Sequence, residues 1–445
     1  MICFPLTEIK VFERYLNNMP RRDRQFFQEI ILSNGLKVYL HWLRLPWVYG
    51  RIIVPVGTAN NTGEFLPGTA HFFEHLTFRR SARFLQANSF WKEIARLNAD
   101  ANAGTGDVTT TFEVDAPSQT FLAAWRAMQS TVFEPLFMKQ DIRDESPIIL
   151  QEWGRYAPYY PGDNPTNQYL RTNWSHNQPF TLRQTFGNED DHQALTTEDL
   201  ARMHRTGYLS RQCKVVIVGG IREADLTKIL DDLSDLPLAD TSLPQLIDPF
   251  RWVRRELHTH HLPDIGRPTY VIGGVIPFQN GEQPDLGRGV ALGILLDYLW
   301  STFDGPLFDW LRWQNGWIYD VHTGMHQDWR ELGWYMALLL QSEEQVHTVR
   351  GELWSRVESA LADKKRLRVA VNRHIAGQVL HYVDPHEIVK KAVADLEIFG
   401  AINTERQARE ELVHCRNPEY LKEVYREVLR DSKNTGEVCL LPMVD

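Results

Sequence analysis

Apolar and polar residues alternate over several short stretches of the chain, and this period of two is the pattern of half-buried β-strands. Residues 30–42 alternate around Asn34-Gly35, a dipeptide that favours a tight hairpin turn. Residues 49–56 and 109–114 show the same pattern, and residues 213–220 form an apolar run that ends in two glycines. The first half of the chain therefore predicts a sheet that begins with a hairpin.

Helical patterns lie between these strands. Apolar residues recur at spacings of three and four over residues 69–79, 85–98, 117–132 and 139–156. Thr197-Glu198-Asp199 is typical of the start of a further helix. Strands and helices mixed in this way predict the α+β class.

The order of elements restarts in the second half, where a strand pattern over residues 269–277 is followed by a helical pattern over 289–302. Short matches accompany this order, because Val54-Pro55-Val56…Gly63-Glu64…Gly68 resembles Val275-Ile276-Pro277…Gly281-Glu282…Gly287. Two copies of one α+β unit, each of about 220 residues, explain the pattern. Chance similarity at glycine positions is the alternative.

The repeat predicts the domain boundaries. We expect an N-terminal domain over residues 1–238, a polar linker over 239–248 and a C-terminal domain over 249–445. A polar, proline-rich loop is expected over residues 157–173.

Composition narrows the class of protein. The chain has 445 residues, of which 43% are hydrophobic and 24% charged, as in ordinary globular proteins. Its net charge of −9 and the absence of a basic block argue against a nucleic-acid partner. No apolar run is long enough for a membrane helix, and residues 1–29 lack the pattern of a signal peptide. With four scattered cysteines, these features predict a cytoplasmic protein without a membrane partner.

The strongest local signal is His71-Phe72-Phe73-Glu74-His75. On a helix, residues four apart share a face, so His71 and His75 can reach one metal ion. Two imidazoles and a carboxylate suit Zn²⁺, and the order His-x-x-Glu-His is the inverted form of a known zinc-peptidase motif. Two histidines on a helix without a metal are the alternative.

A zinc site needs a third protein ligand. Glu145 and Glu152 lie seven residues apart on one face of a predicted helix, so either could supply it. We prefer Glu152 as the ligand, with Glu145 as a carboxylate that orients a histidine. Surface ion pairs are the alternative for both acids.

At this point the chain resembles a known family, the pitrilysin, insulin-degrading enzyme and mitochondrial processing peptidase family of zinc metallopeptidases. The resemblance rests on an ordered series of residues and motifs. They are Leu32-Ser33-Asn34-Gly35-Leu36-Lys37-Val38, Gly57, Glu64, Gly68, His71–His75 with Phe78, Asn102-Ala103, Glu145 with Glu152, Gly187, Thr197-Glu198-Asp199-Leu200, Tyr208, Val215–Gly219, Leu311-Arg312, Gly316 and Tyr319.

The resemblance implies roles for these residues. It implies that His71, His75 and Glu152 bind zinc and that Glu74 is the general base of peptide hydrolysis. It further implies that Arg312 and Tyr319 hold the substrate or stabilise the oxyanion; a surface arginine and a core tyrosine are the alternative.

The family pattern also implies a place for the substrate. Asn102 and Ala103 begin an edge strand that pairs with the substrate backbone, and residues 105–112 could continue that strand. A turn is the alternative, because Asn102-Ala103-Gly104-Thr105-Gly106 is rich in turn-forming residues.

The resemblance further implies a fold and an assembly. We expect two homologous domains, each a mostly antiparallel sheet with helices packed on one face, that form half of a clamshell. A second chain, identical or related, would complete a closed chamber for peptides, as a homodimer or a heterodimer. The alternative is a non-catalytic scaffold or a peptide-binding partner subunit.

The chain departs from the family at two places. Phe78-Arg79-Arg80-Ser81 replaces the usual run after the second histidine, and residues 295–307 lack the usual glycine-rich segment. The second half has Gly289 to Ile294 where the first has its candidate metal ligands, and the resemblance implies one active and one degenerate copy. The His258-Thr259-His260-His261 run is interpreted as a strand or linker edge rather than a metal site, because no acid or cysteine stands near it at ligand spacing.

Overall fold

A computed structural model describes most of the chain. The described residues are 27–61, 64–156, 185–243, 257–262, 266–277, 285–301, 304–327, 331–378, 383–402, 412–430 and 435–443. The loop expected over residues 157–173, most of the segment tested for a signal peptide and the linker from residue 244 onward lie outside them.

The described strands form two sheets. They are β1 (Gln28–Ile31), β2 (Lys37–Trp42), β3 (Trp47–Val54), β4 (Asp100–Thr105), β5 (Thr110–Pro117), β6 (Lys214–Gly219), β7 (His258–Leu262), β8 (Thr269–Pro277), β9 (Val321–Gln327), β10 (Glu331–Leu339) and β11 (Thr435–Pro442).

Helices connect the strands. They are α1 (Thr69–Thr77), α2 (Ser89–Arg96), α3 (Phe121–Phe133), α4 (Lys139–Tyr156), α5 (Glu189–Ala194), α6 (Thr197–Met203), α7 (Glu223–Ser234), α8 (Leu286–Trp300), α9 (Pro306–Phe308), α10 (Glu343–Ala362), α11 (Lys364–Gln378), α12 (Pro385–Ile398) and α13 (Pro418–Val424). Among the described helices, none has the length and apolar character needed to cross a membrane.

The chain divides into two compact units that are not simple halves of the sequence. Unit 1 comprises residues 1–157, 179–248 and 381–397, and unit 2 comprises residues 158–178, 249–380 and 398–445. Most of α12 thus groups with unit 1, although it follows the elements of unit 2 along the chain. The boundaries expected from the repeat place α12 in the second domain and stay a prediction.

The sheet of unit 1 has six strands in the order β1-β2-β6-β3-β5-β4. The predicted hairpin is present, with Gln28 opposite Leu40 and Ile31 opposite Lys37, and Gly35 takes a φ of 89° that suits glycine. Neighbouring strands are antiparallel except β2 and β6, which run parallel. Among the described strands, β4 lies at the edge of this sheet and pairs with β5 alone.

One face of this sheet carries the core. Val48 and Ile52 of β3 and Phe112 of β5 point to it, together with Trp125 of α3, and all four side chains are completely buried. Strand residues between them point to the other face. This alternation explains why the strand pattern was readable from the sequence.

Helix α12 contacts the other face of the same sheet. The ring of His386 packs edge-on against Tyr49 of β3, and Lys214 of β6 donates to the backbone carbonyl of Leu396 at 3.1 Å. Tyr49 and Lys214 alternate with core-facing residues, so they lie on the face opposite the core. Unit 1 therefore has helices on both faces of its sheet, which the expectation of one covered face did not include.

The sheet of unit 2 has the order β7-β11-β8-β10-β9. Its pairs are antiparallel except β7 and β11, which run parallel. The order matches that of β2-β6-β3-β5-β4 in unit 1, and the parallel pair stands at the same place. The expected α+β class with two related, mostly antiparallel sheets is confirmed, and the His258–His261 run is part of β7 as expected.

One strand prediction is wrong. β4 ends at Thr105 and the chain turns before β5, so residues 105–112 are not one strand. The Gly106 amide donates to the Thr109 carbonyl at 2.8 Å, which closes the turn and reverses the chain direction. The turn-forming residues around Gly106 carried this signal.

Candidate metal site

Helix α1 places both motif histidines on one face. It begins after Gly68, whose φ of 81° is left-handed, and its Phe72 and Phe73 are buried in the core of unit 1. Burial of these apolar residues fixes the rotation of the helix, so His71 and His75 point together with their ring centroids 4.7 Å apart.

Helix α4 brings a carboxylate to the two histidines. Glu152 Oε2 lies 3.3 Å from His75 Nε2 and 3.8 Å from His71 Nε2. One ligand atom from each residue lies within 4.8 Å of the others, and among the described residues this is the one such group of three. The structure therefore brings together the three residues expected to bind zinc.

Glu145 contacts His75 on the side of the ring away from Glu152. Its Oε1 atom is 3.0 Å from His75 Nδ1, and its Oε2 atom accepts from Arg79 Nε at 2.6 Å. Burial alone would raise the pKa of Glu145, but the contacts with His75 and Arg79 lower it. The ionised carboxylate orients His75 so that Nε2 faces Glu152, as a carboxylate behind a metal ligand does.

The two histidines differ in charge. Burial lowers the pKa of His71 to about 4, so this ring is neutral at pH 7. Burial would also lower the pKa of His75, but hydrogen bonds to Glu145 and Glu152 outweigh it and raise the pKa to about 10. Without a metal ion, Glu145 and Glu152 stabilise the protonated, positively charged form of His75. The same two carboxylates would favour a bound metal cation.

Glu74 lies in the same cleft but outside the group of three. It is 7% exposed, and its Oε2 atom accepts from the Thr105 hydroxyl at 2.9 Å. Burial raises the pKa of the Glu74 carboxyl, against the opposing effects of His75 and Thr105. A carboxylate whose pKa is moved toward neutrality is suited to accept and return a proton.

The cleft around these residues has a volume of about 730 Å³. The edge strand β4 forms one wall with Asn102, Ala103 and Thr105, and Trp91 and Phe186 lie along other walls. Asn102 is exposed and Ala103 is half-buried. Asn102 and Ala103, which were expected to pair with the substrate backbone, therefore line the cleft that contains the candidate metal ligands.

Arg312 and Tyr319 belong to unit 2. The Arg312 guanidinium lies 5.1 Å from the centroid of the Tyr319 ring and donates to the Ile318 carbonyl at 3.0 Å. Tyr319 is 82% exposed, so it is not a core residue. The two residues lie together, and their catalytic role stays a prediction.

Sequence reasoning missed three contacts of the site. Arg79 was noted only as a departure from the family pattern, although it follows His75 by one turn of helix. Thr105 was expected in a strand, but nothing in the sequence indicates that its hydroxyl donates to the Glu74 carboxylate. Phe186 packs edge-on against His71 with ring centroids 4.8 Å apart, across more than a hundred residues of sequence.

The donor set fits zinc. Two imidazole nitrogens and a carboxylate oxygen are its common ligands in catalytic sites, where a fourth position stays open. Ligand atoms about 2.0–2.2 Å from a tetrahedral ion lie roughly 3.3–3.6 Å apart, close to the two separations at Glu152. His71 Nδ1 is buried without a hydrogen-bond partner among the described residues, so no hydrogen bond from that atom orients the ring.

The fold and the site together define a two-unit α+β chain with one candidate zinc centre of the inverted His-x-x-Glu-His type. Two family models match the sequence: insulinase (peptidase family M16) over residues 47–179, and the peptidase M16 inactive domain over residues 194–363. The chain belongs to peptidase family M16, which confirms the resemblance seen in its motifs.

Relatives with known names include proteases. The chain is 24% identical over 309 residues to coenzyme PQQ synthesis protein F of Pseudomonas putida, which covers 65% of this chain and 35% of that one. It is 27% identical over 305 residues to protease 3 of Escherichia coli, which covers 66% of this chain and 30% of that one. The chain thus matches about a third of the length of these relatives.

Solved structures share the fold. The peptidase M16 inactive domain from Pseudomonas fluorescens superimposes with a TM-score of 0.76 at 16% identity, over 94% of this chain and 98% of that chain. The periplasmic protease PqqL from Escherichia coli superimposes with a TM-score of 0.73 at 14% identity, over 94% of this chain and 46% of that chain.

Proposed function

We propose that this chain is a zinc-dependent endopeptidase. The observation that carries the proposal is the group of His71, His75 and Glu152 in one cleft with the buried carboxylate of Glu74. A bound zinc ion would lower the pKa of water toward neutrality and polarise a peptide carbonyl as a Lewis acid. His71, His75 and Glu152 would hold it.

Glu74 supplies the proton transfers. Its carboxylate accepts the proton of the attacking water and then delivers that proton to the nitrogen of the departing amine. The hydroxyl of Thr105 fixes one carboxylate oxygen, so the other is free to face the substrate. Burial favours the protonated form of Glu74 after the first transfer.

The substrate is a peptide in an extended conformation. An edge strand offers unpaired backbone groups, and β5 is the one partner of β4 among the described strands. Asn102 and Ala103 would bond the substrate backbone along this strand beside the metal ligands. Arg312 and Tyr319 would bind the substrate or its oxyanion from unit 2.

Assembly and location are further parts of the proposal. The chain superimposes on 46% of PqqL and 45% of pitrilysin, so a second copy or a related chain would supply the other half of a closed peptide chamber. A cytoplasmic location remains a proposal, since the solved PqqL is a periplasmic protease. Light scattering of the purified chain, alone and with a related chain, tests the dimer.

A second candidate function is a non-catalytic, peptide-binding subunit. The match of residues 194–363 to an inactive-domain model favours it. The two functions differ in metal content, because the peptidase requires about one zinc per chain and the subunit requires none.

The test compares Glu74→Gln with the parent on a library of unstructured peptides. Removal of a general base lowers the rate by about 10²–10⁴-fold. Zinc content should stay at the parent level, because Glu74 is not among the three ligands. Glu198→Gln, an exposed change on α6, is the matched control and should cleave at the parent rate. Equal cleavage by Glu74→Gln would refute the mechanism, and a zinc-free parent would favour the subunit.

A further inference from the structure

A buried histidine outside the candidate metal group connects α4, which carries Glu152, to a segment that packs against α1. His192 lies on α5 and is 4% exposed. Its Nδ1 atom is 2.9 Å from the hydroxyl oxygen of Ser146 on α4, and its Nε2 atom is 2.7 Å from the backbone carbonyl oxygen of Phe186. We call Ser146, His192 and Phe186 the His192 link.

The chemistry of the partners fixes the ring's proton. A carbonyl oxygen only accepts, so Nε2 carries a hydrogen and donates it to Phe186. Burial lowers the pKa of His192, so the ring is neutral and Nδ1 accepts from the Ser146 hydroxyl. The side chain at position 192 therefore has to donate one hydrogen bond to the Phe186 carbonyl and accept another from the Ser146 hydroxyl.

The His192 link contacts helix α1, which carries His71 and His75. The ring of Phe186 packs edge-on against His71, with ring centroids 4.8 Å apart and an angle of 81°. A Cβ at Gly68, which precedes α1, would lie 2.4 Å from the backbone nitrogen of Gly187. The backbone of Phe186 and Gly187 is thus in direct contact with the beginning of α1.

The two metal-binding histidines are held in different ways. The hydrogen bond from His75 Nδ1 to Glu145 orients that ring. The buried Nδ1 atom of His71 has no hydrogen-bond partner in the part of the chain that the structure describes. His71 is oriented by contact with the rings of Phe186 and His75 instead.

We propose that His192 is the positioning residue of His71. It fixes the Phe186 backbone to helix α4, and the Phe186 ring then sets the direction in which His71 presents Nε2 to a metal ion. The inference rests on the zinc site of the proposed function and adds a residue to its support. Packing thus does for His71 what Glu145 does for His75.

The experiment measures zinc affinity by competition with a chromophoric chelator at fixed pH. His192→Phe keeps a ring in the core but removes both hydrogen bonds, and it should weaken zinc binding by about tenfold or more. His192→Gln offers an amide donor and a carbonyl acceptor, and it should restore affinity to within about threefold of the parent.

The matched control is His41→Phe. His41 is also 4% exposed, and it lies on β2, four strands from β4 in the sheet order. This variant should change the unfolding midpoint of the metal-free protein but leave zinc affinity within about twofold, because it lies away from the metal ligands. Equal weakening by His41→Phe and His192→Phe would mean general destabilisation and would overturn the inference.

Further variants decide the matter if His192→Phe does not fold. Ser146→Ala removes one bond of the link, and Phe186→Leu removes the ring against His71. Both should weaken zinc binding severalfold in a folded chain, and parent affinity in both would overturn the inference. The parent is titrated first: a parent that binds no zinc overturns the proposed function, whereas a zinc-binding parent with an unaffected His192→Phe overturns the inference alone.

Discussion

The two units share a strand order but differ in the helix that follows the central strand. In unit 1, α1 follows β3 and carries His71 and His75 opposite the carboxylates of α4. In unit 2, α8 follows β8 with residues 289–294 in this place, and Oδ2 of Asp297 on α8 lies 3.0 Å from Nδ1 of His374 on α11. Among the described residues, the corresponding helix pairs therefore hold a candidate metal site in unit 1 and a histidine–carboxylate contact in unit 2.

The difference teaches that the architecture does not require the metal ligands. Unit 2 forms its sheet and core, and among its described residues there is no group of three possible metal ligands. Gly293 is opposite His374, where an added Cβ would lie 3.5 Å from the imidazole. The candidate metal ligands of unit 1 are thus additions to an architecture that unit 2 forms without them, as expected of a functional site.

The largest expected losses of stability come from buried side chains on α1 and α8. Phe73→Ala in α1 removes a completely buried ring that packs 4.0 Å from Tyr208, and it should cost about 3–5 kcal/mol. Leu292→Ala in α8 is the matched change in unit 2 and should cost about 2–5 kcal/mol. Urea unfolding measures both.

Zinc affinity separates these two variants. Phe73→Ala should also weaken zinc binding because it loosens the helix of His71 and His75, whereas Leu292→Ala should not. If Leu292→Ala weakens zinc binding as much as Phe73→Ala does, the metal site does not depend on unit 1 alone and the proposed difference between the units is wrong.

Metal removal should act on one unit. At a free zinc concentration about 100 times the dissociation constant, binding stabilises the folded state by about 2.7 kcal/mol. Hydrogen exchange of the β3 and β5 amides should speed up when zinc is chelated, and exchange of the β8 and β10 amides should not. Equal acceleration in both sheets would contradict a site confined to unit 1.

Replacing the carboxylate behind His75 should give a smaller change. Glu145→Gln keeps the shape of the side chain but loses the charge that faces His75 and Arg79, and zinc affinity should fall about 10–100-fold. Chelator competition measures it. Asp297→Asn is the matched change at the His374 contact of unit 2, and a comparable loss of zinc affinity in that variant would count against the proposed difference between the units.

The smallest effect is a gain in stability in unit 2. Gly351 lies on the exposed side of α10, and an added Cβ there would meet no atom within 4 Å among the described residues. Gly351→Ala should stabilise the helix by about 0.5–1 kcal/mol, since alanine loses less backbone entropy on folding. Zinc affinity should stay at the parent value. A destabilised variant would show that the surroundings of α10 are not open at this point.

The sequence predicted the parts of the site that depend on local spacing. His71 and His75 share a face because a helix has 3.6 residues per turn, and the fold class followed from the alternation and its repeat. Glu152 was chosen over Glu145 by preference and resemblance, because spacing places both on one face.

The remaining parts depend on contacts between distant segments. Thr105 meets Glu74 only because β4 lies beside α1, and Phe186 meets His71 across more than a hundred residues. The contact of α12 with the sheet of unit 1 is of the same kind, since local periodicity carries no information about which sheet a helix covers. The turn around Gly106 was different, because its composition made a turn the stated alternative to a continuous strand.

Helix α12 also has a consequence for the order in which the protein is made. Val216 and Val218 of β6 are fully buried on the face that α12 contacts. A ribosome reaches residues 385–398 only after it has synthesised residues 249–380 of unit 2, so until then this face of the unit 1 sheet, with Val216 and Val218, lacks the cover of α12. A truncated chain that stops before residue 385 would retain every candidate metal ligand and still leave this surface free to aggregate.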